Sequence, residues 1–407
     1  MNRFKLIGKY DVTDLTVFFE ENLEIVNVPL TTEKETLCYG ISNIMDKMLN
    51  NSICPTEDGI DLMVFATLIY LADIRISRSI HSQDSWTREI EIQLPVMNLE
   101  TWNSSSTDLT RMLNFLTGDK WSVIFEQRDK KFEHLLDCNE EQKAFDVVSL
   151  FSGGMDSLIS TINYLEEKKN VILVSHAGDG FTKNAQTNIL KEFKEIYTEI
   201  MPLYIDLWMS FEKEFIPQGG TENTTRSRSF LFISFGVFVI SGVKGVEKLE
   251  VPENGFIALN VPLDKLRAGS HSTRTTHPFY LEMWNKVLGS LGFNITVENH
   301  YWDKTKGEMA DECKNKELLS KVIKKSISCS SPTKAKWKKL PPQHCGYCVP
   351  CLIRRAAMQK AFGLGKDCTD YTDESINEIL KNHANASGSQ LRSFQLAINR
   401  IKKQPNI

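Results

Sequence analysis

The chain has 407 residues, 41% of them hydrophobic and 25% charged, and a formal net charge of −4; this is the profile of a globular protein in water, and the length predicts two or three units. The slightly acidic balance does not call for nucleic acid as a bulk partner and leaves room only for a local basic patch. No run approaches the roughly 20 apolar residues of a membrane span, and the opening decapeptide lacks the apolar centre of a signal peptide.

Residues 1–143 read as an α+β domain. Residues 4–7 and 15–19 read as short strands, and 35–48 and 62–71 as helices. Over 88–94, Ile90, Ile92 and Leu94 alternate with Glu89, Glu91 and Gln93, the period of a half-buried strand. Residues 121–125 form another. No catalytic pattern occurs here, and the charged stretch 128–143 marks the boundary.

From 144 to 315 the pattern changes to strand–helix alternation. Strands are expected at 147–151, 171–175, 202–207 and 249–251, and helices at 156–168, 183–200 and 227–243. This implies an α/β fold with a doubly wound parallel sheet and helices on both faces. In such sheets a ligand lies beyond the carboxyl ends of the strands, where the order reverses. The first strand ends in Ser152-Gly153-Gly154-Met155-Asp156-Ser157 and a helical pattern follows at once. Glycines let the backbone approach an anion, and the free N–H groups and positive dipole end of the helix point at it. Ser152 and Ser157 add hydroxyl donors, and Asp156 suits a Mg²⁺ ion held between it and a phosphate. No Lys follows the glycines, which excludes the nucleotide loop of kinases and GTPases.

Residues 316–407 read as a helical segment with one cysteine cluster. The chain has nine cysteines, and without a leader this points to a reducing, cytoplasmic compartment. Cys329, Cys345, Cys348 and Cys351 show the close Cys-x2-Cys spacing that brings thiolates to one Zn²⁺ ion; an iron–sulfur cluster is the rival occupant. A closed site of four thiolates leaves no open position for chemistry, so its expected role is folding.

The string 152–157 resembles the SGGxDS loop of the PP-loop ATP pyrophosphatases. Together with the cysteine group at 329–351 it resembles the 7-cyano-7-deazaguanine synthase (QueC-like) family. His176 closes the second strand where that family often has a His, and Thr225-Arg226-Ser227-Arg228-Ser229 opens the third helix where it carries a nucleotide-facing Arg. Thr305-Lys306-Gly307-Glu308 resembles its Thr-Lys-x-Glu string. The resemblance covers about residues 145–360 and leaves out the N-terminal region. The cysteine spacing is wider than in the housekeeping enzymes, and 272–278 replaces their Asp-Cys-Arg stretch. The long form looks more like the QueC-like components of bacterial anti-phage systems of the Qat and CBASS types.

The resemblance implies an adenine nucleotide alpha hydrolase-like fold and an ATP-dependent ligase. A carboxylate of 7-carboxy-7-deazaguanine would attack the ATP α-phosphate, and ammonia or a partner-protein amine would then displace AMP. ATP, Mg²⁺ and Zn²⁺ are the implied cofactors, and a protein of the defence operon the implied partner. Pyrophosphate would rest on Ser152, Gly153, Gly154, Met155 and Ser157, beside Asp156 and its Mg²⁺. Guanidinium groups at Arg226 and Arg228 suit developing phosphate charge. His176 belongs either to the adenine pocket or to the core. Glu253 and Asn254 can read a purine-like edge, and Arg274 and His277, in the polar loop 267–277, can cover the substrate with Lys306 nearby. Asp179 and Asp206 follow strands and read as helix caps, with service to Mg²⁺ the other reading. The basic run 334–339 reads as a solvated face that can also meet RNA or an acidic partner. The N-terminal domain would dock a partner or form a homodimer, so that its removal spares nucleotide binding. Two other functions compete: a tRNA-thiolating relative, which needs a reactive cysteine near the nucleotide, and a non-catalytic nucleotide-binding subunit.

Overall fold

The computed structural model describes residues 3–82, 84–129, 131–132, 141–263, 274–378 and 386–403. Cys138, most of the boundary stretch 128–143 and the part of the polar loop before Arg274 lie outside the described residues.

Among the described residues ten strands form two five-stranded sheets. In the first, β1 (Arg3–Lys9), β2 (Thr16–Glu20), β3 (Leu23–Pro29), β4 (Glu89–Val96) and β5 (Lys120–Gln127) take the order β2-β3-β1-β4-β5. Only the β2–β3 hairpin is antiparallel; β3, β1, β4 and β5 run parallel. The N-terminal region is therefore a wound α/β sheet with one antiparallel edge, not the α+β domain expected. Helices Glu57–Arg75 and Leu99–Thr117 make the crossovers that return the chain to the same end of the sheet. The second of them escapes sequence reading because its outer face is Asn, Ser and Thr. Its inner face buries Trp102, Leu109, Met112, Leu113 and Leu116 at helical spacing.

The second sheet has β6 (Val147–Leu150), β7 (Val171–Ala177), β8 (Leu203–Trp208), β9 (Lys248–Glu250) and β10 (Thr296–Glu298) in the order β10-β9-β6-β7-β8. All its pairs are parallel, as the alternation predicts. From β6 the chain winds outward through β7 to β8, then crosses to β9 on the other side. The reversal puts a crevice beyond the carboxyl ends of β6 and β9.

One hydrophobic core runs between the two sheets. Helix Glu57–Arg75 is buried continuously from Gly59 to Ile74, and helix Arg228–Ile240 buries Phe230, Leu231, Ile233 and every residue from Phe235 to Ile240. A helix apolar all round must have partners on all sides, and these two pack on each other between the sheets. Phe65 meets Trp102, Phe125 and Phe230 edge-on at 5.8–5.9 Å. A second core on the far face of the second sheet joins helices Met155–Glu166, Gly180–Ile196, Lys306–Asp311, Lys316–Val322 and Val349–Phe362. Residue 143 is thus a change of sheet but not of core. Among the described residues no helix is long and apolar enough to cross a membrane.

Candidate functional site

The glycine turn sits at the carboxyl end of β6, at the reversal point. Gly153 has φ +78°, a conformation L side chains rarely adopt, and a Cβ there would stand 2.9 Å from Gln186 Cγ. Gly154 is the N-cap of helix Met155–Glu166. The first-turn N–H groups of a helix have no intrahelical acceptor, so the turn offers donors and a positive dipole end. Ser152 Oγ accepts from Gly154 N–H at 3.2 Å and lies 3.3 Å from Ser157 Oγ. Met155 is wholly buried and faces the core. Gln186, which the sequence did not single out, donates to the carbonyls of Phe151, Ser152 and His176 at 3.3–3.4 Å and ties the ends of β6 and β7 together.

Behind the turn lies a buried charge group. Asp156 Oδ1 is 2.7 Å from Lys306 Nζ, and its Oδ2 accepts from Asn254 Nδ2 at 2.8 Å and Asn254 N–H at 3.2 Å. Burial pushes Asp156 upward, but Lys306 and the hydrogen bonds outweigh it and hold the carboxyl below its ordinary range. Glu253 goes the other way: burial and the Asp156 charge raise it well above a normal glutamate. The two carboxyls are thus pushed in opposite directions, Asp156 toward ionisation and Glu253 toward keeping its proton. Asp156 and Glu253 supply the hard carboxylate oxygens that suit a divalent cation. Thr305 and Glu308, the ends of the Thr-Lys-x-Glu string, form a reciprocal capping box that fixes the start of the helix carrying Lys306.

A cavity of about 310 Å³ opens beside the turn, lined by Ser152, Arg228, Glu253, Thr225, Ser229, Phe232, Thr275 and Thr276 among others. Its size falls in the range of small-ligand pockets. Grooves of about 660 and 890 Å³ are larger and neither borders residues 152–157; Lys306 lines the first of them, between residues 305–308 and the C-terminal helices, rather than the cavity. Of the two arginines, only Arg228 reaches the cavity. Arg226 donates to Thr117 O at 2.6 Å and covers the Trp86 ring at 4.0 Å, facing the first sheet. Arg274 likewise donates to Phe115 O and lies over its ring. His277 caps helix Pro278–Ser290 by accepting from Phe279 N–H. The cavity wall from that loop is Thr275 and Thr276 instead.

His176 is 1% exposed, packed edge-on to Tyr70 at 5.8 Å, and does not line the cavity. Burial and the nearby Arg228 lower its pKa to about 3, so it is a neutral core histidine. Asp179 does cap helix Gly180–Ile196. Asp206 instead pairs with Lys47 and Lys183.

The four cysteines converge. Cys329 and Cys348 sulfurs are 3.9 Å apart, as are Cys345 and Cys351. Four thiolates around one ion at about 2.3 Å stand about 3.8 Å apart, so the group can hold a metal ion such as zinc. N–H groups of Ser331 and Cys345 donate to Cys329 Sγ, and that of Cys348 to Cys345 Sγ, each at 3.3 Å. His344 is no extra ligand: it accepts from Ser328 N–H at 3.2 Å. Glu250, Glu298 and His300 form a second group of metal-capable donors at the edge of the sheet. Cys54 is disulfide-bonded, which the expectation of reduced thiols did not include.

The cysteine group also braces the glycine turn. Ile327 N–H, two residues before Cys329, donates to Gly153 O at 2.9 Å. Arg354, on the helix that carries Cys351, holds the same segment through Ser326 Oγ at 2.9 Å and Ile323 O at 2.6 Å. Removing the metal with a chelator is therefore expected to raise amide exchange at Ile327 by about tenfold or more, as local opening would. Unchanged exchange there in demonstrably metal-free protein would show that the brace does not depend on the ion.

No family model matches the chain, and no curated protein matches it. Among solved structures it is similar to a ketoreductase domain from the bacillaene assembly line, at 9% identity over 79% of this chain and 86% of that one, with a TM-score of 0.24. A likeness that slight carries no argument about function.

Proposed function

We propose that the chain is an ATP-dependent ligase of the PP-loop type that adenylates the carboxylate of 7-carboxy-7-deazaguanine, or a similar base, and passes the acyl group to a nitrogen nucleophile. One observation carries the reading: the Gly153–Gly154 turn opens a helix at the reversal point of a parallel sheet, onto a cavity that Arg228 and Glu253 share, with Lys306 drawn in by Asp156.

The chemistry needs charge neutralisation and alignment, and no nucleophile on the protein. A carboxylate oxygen attacks the α-phosphorus, and the bond to the bridging oxygen breaks with its electron pair leaving on pyrophosphate. The turn N–H groups and the hydroxyls of Ser152 and Ser157 receive the leaving anion, and Lys306 and Arg228 offset its charge. Mg²⁺, held by Asp156 and Glu253, would supply further neutralisation when bound. The amine then attacks the acyl carbon, AMP departs with the carbon–oxygen electron pair, and the nitrogen releases a proton. The four-cysteine group is read as a zinc site that maintains the brace at Ile327. Thiolation of tRNA is the weaker reading. Among the described residues no cysteine borders the cavity, and Cys313 is buried with its thiol pushed up by burial, away from the reactive thiolate.

Purified protein should release pyrophosphate from ATP only when 7-carboxy-7-deazaguanine is present, and product mass should separate an amide or nitrile from a protein conjugate. Release indifferent to the deazapurine, or none with ammonia or the operon partner supplied, would overturn the reading.

A further inference from the structure

The net negative charge of the chain averages over a surface that is not uniform. The segment between Cys329 and Cys345 contains a short 3-10 helix, Pro332–Lys338, anchored by the buried Ala335. Both ends are pinned by cysteines of the metal-capable group. At its tip Trp337 is 87% exposed, the most exposed of the large apolar side chains among the described residues. Indole left in water on a rigid support gains nothing for folding, since burial is what an apolar ring contributes.

The cations around it are sorted. Lys338 is held back by Asp373 at 2.6 Å, and Lys334 sits over the Tyr347 ring at 5.7 Å. Lys336 and Lys339 are exposed and make no ion pair among the described residues. Lys339 closes the helix at φ +57°, in the left-handed region, a conformation that costs a non-glycine residue energy and persists where the surroundings impose it. The result is one bare aromatic face flanked by free ammonium groups.

We propose that this tip binds single-stranded nucleic acid, with a base stacked on Trp337 and adjoining phosphates on Lys336 and Lys339. A flat ring flanked by cationic side chains is how sequence-tolerant single-strand sites are built. The composition argues against a protein groove, since protein interfaces are enriched in Arg and depleted in Lys. It also argues against a membrane, because lasting attachment needs a second hydrophobic anchor or a larger apolar face, and this tip offers one ring and the edge of Leu340. The inference does not rest on the ligase reading.

The test is fluorescence anisotropy of the full chain with labelled single strands of about twelve nucleotides, RNA and DNA in separate arms, and phosphatidylserine vesicles as a third. Binding of either strand is expected, weakening about sevenfold between about 50 and about 200 mM salt if two phosphates are neutralised. Trp337→Ala should weaken it about tenfold or more while Trp337→Phe retains most of it, and Lys336→Ala with Lys339→Ala should flatten the salt dependence. The exposed ring supports no core, so these variants should melt with the wild type. Three results would overturn the proposal: no salt-dependent binding to either strand, equal binding by Trp337→Ala, or capture by the vesicles alone.

Discussion

Deleting residues 1–143 should leave a remainder that does not fold, rather than a nucleotide-binding domain that has lost its partner. Helix Arg228–Ile240 buries Phe230, Leu231, Ile233, Phe235, Val237, Phe238, Val239 and Ile240, and its outer side is covered by helix Glu57–Arg75. Returning even half of those side chains to water costs roughly 6–12 kcal/mol, comparable with the whole stability of a typical domain, about 5–15 kcal/mol. The close fit supports this: a Cβ on Gly59 would lie 2.5 Å from Ser241 Oγ, and one on Gly242 would lie 2.5 Å from the Cys54 carbonyl. The deletion also removes Asp73, which accepts from Ser227 N–H at 2.8 Å and sets the start of the helix bearing Arg228. Expression of 144–407 should give insoluble protein or a chain without a cooperative melt. A soluble fragment that melts cooperatively and binds ATP would show that the shared core is dispensable and restore the independent-domain view.

The difference between that view and the structure shows where local sequence signals stop. In the second sheet β6, β7 and β8 were legible as short apolar runs followed by a helical period, and the turn at 152–157 carries its own chemistry; β10 was not, because Thr296–Glu298 is three residues with one buried side chain. The four cysteines were legible for the same reason. The first sheet was read as α+β because β3 and the helix Leu99–Thr117 give weak signals, one a short alternating strand and the other half covered in Ser and Thr. The cavity wall was beyond sequence reading. Arg226 and Arg228 stand two residues apart on one turn, and what aims only the second at the cavity is a buried network far away in the chain. In it Arg78 and Arg88 share Asp73 and Asp119 at 2.5–3.0 Å, and Arg78 reaches Thr224 Oγ1 at 2.9 Å. In the polar loop it is Thr275 and Thr276 that face the cavity, not the neighbouring Arg274 and His277. Charge marks a residue as polar; only packing decides whether it points to a ligand or to a carbonyl such as Phe115 O.

Asp156→Asn is expected to cost both stability and activity, and a second substitution separates the two. The carboxyl is 5% exposed and pairs with Lys306, itself 8% exposed. Removing one charge leaves the other buried and unpaired, at a cost of about 3–5 kcal/mol, which a thermal melt would register. Asp156→Asn with Lys306→Gln removes both charges and should recover most of that loss, because a hydrogen-bonded neutral pair needs no counterion. If the pair is merely structural, activity returns with stability. If Lys306 neutralises the departing pyrophosphate and Asp156 orients it, the double variant folds normally yet releases deazapurine-dependent pyrophosphate at least about a hundredfold more slowly, the scale seen when one preorganised electrostatic contact is lost. Arg226→Ala supplies the control. Its guanidinium faces Thr117 and Trp86, so it should leave the rate near that of the wild type, while Arg228→Ala should lower it. A double variant with recovered melting temperature and undiminished release would remove the buried ion pair from the mechanism.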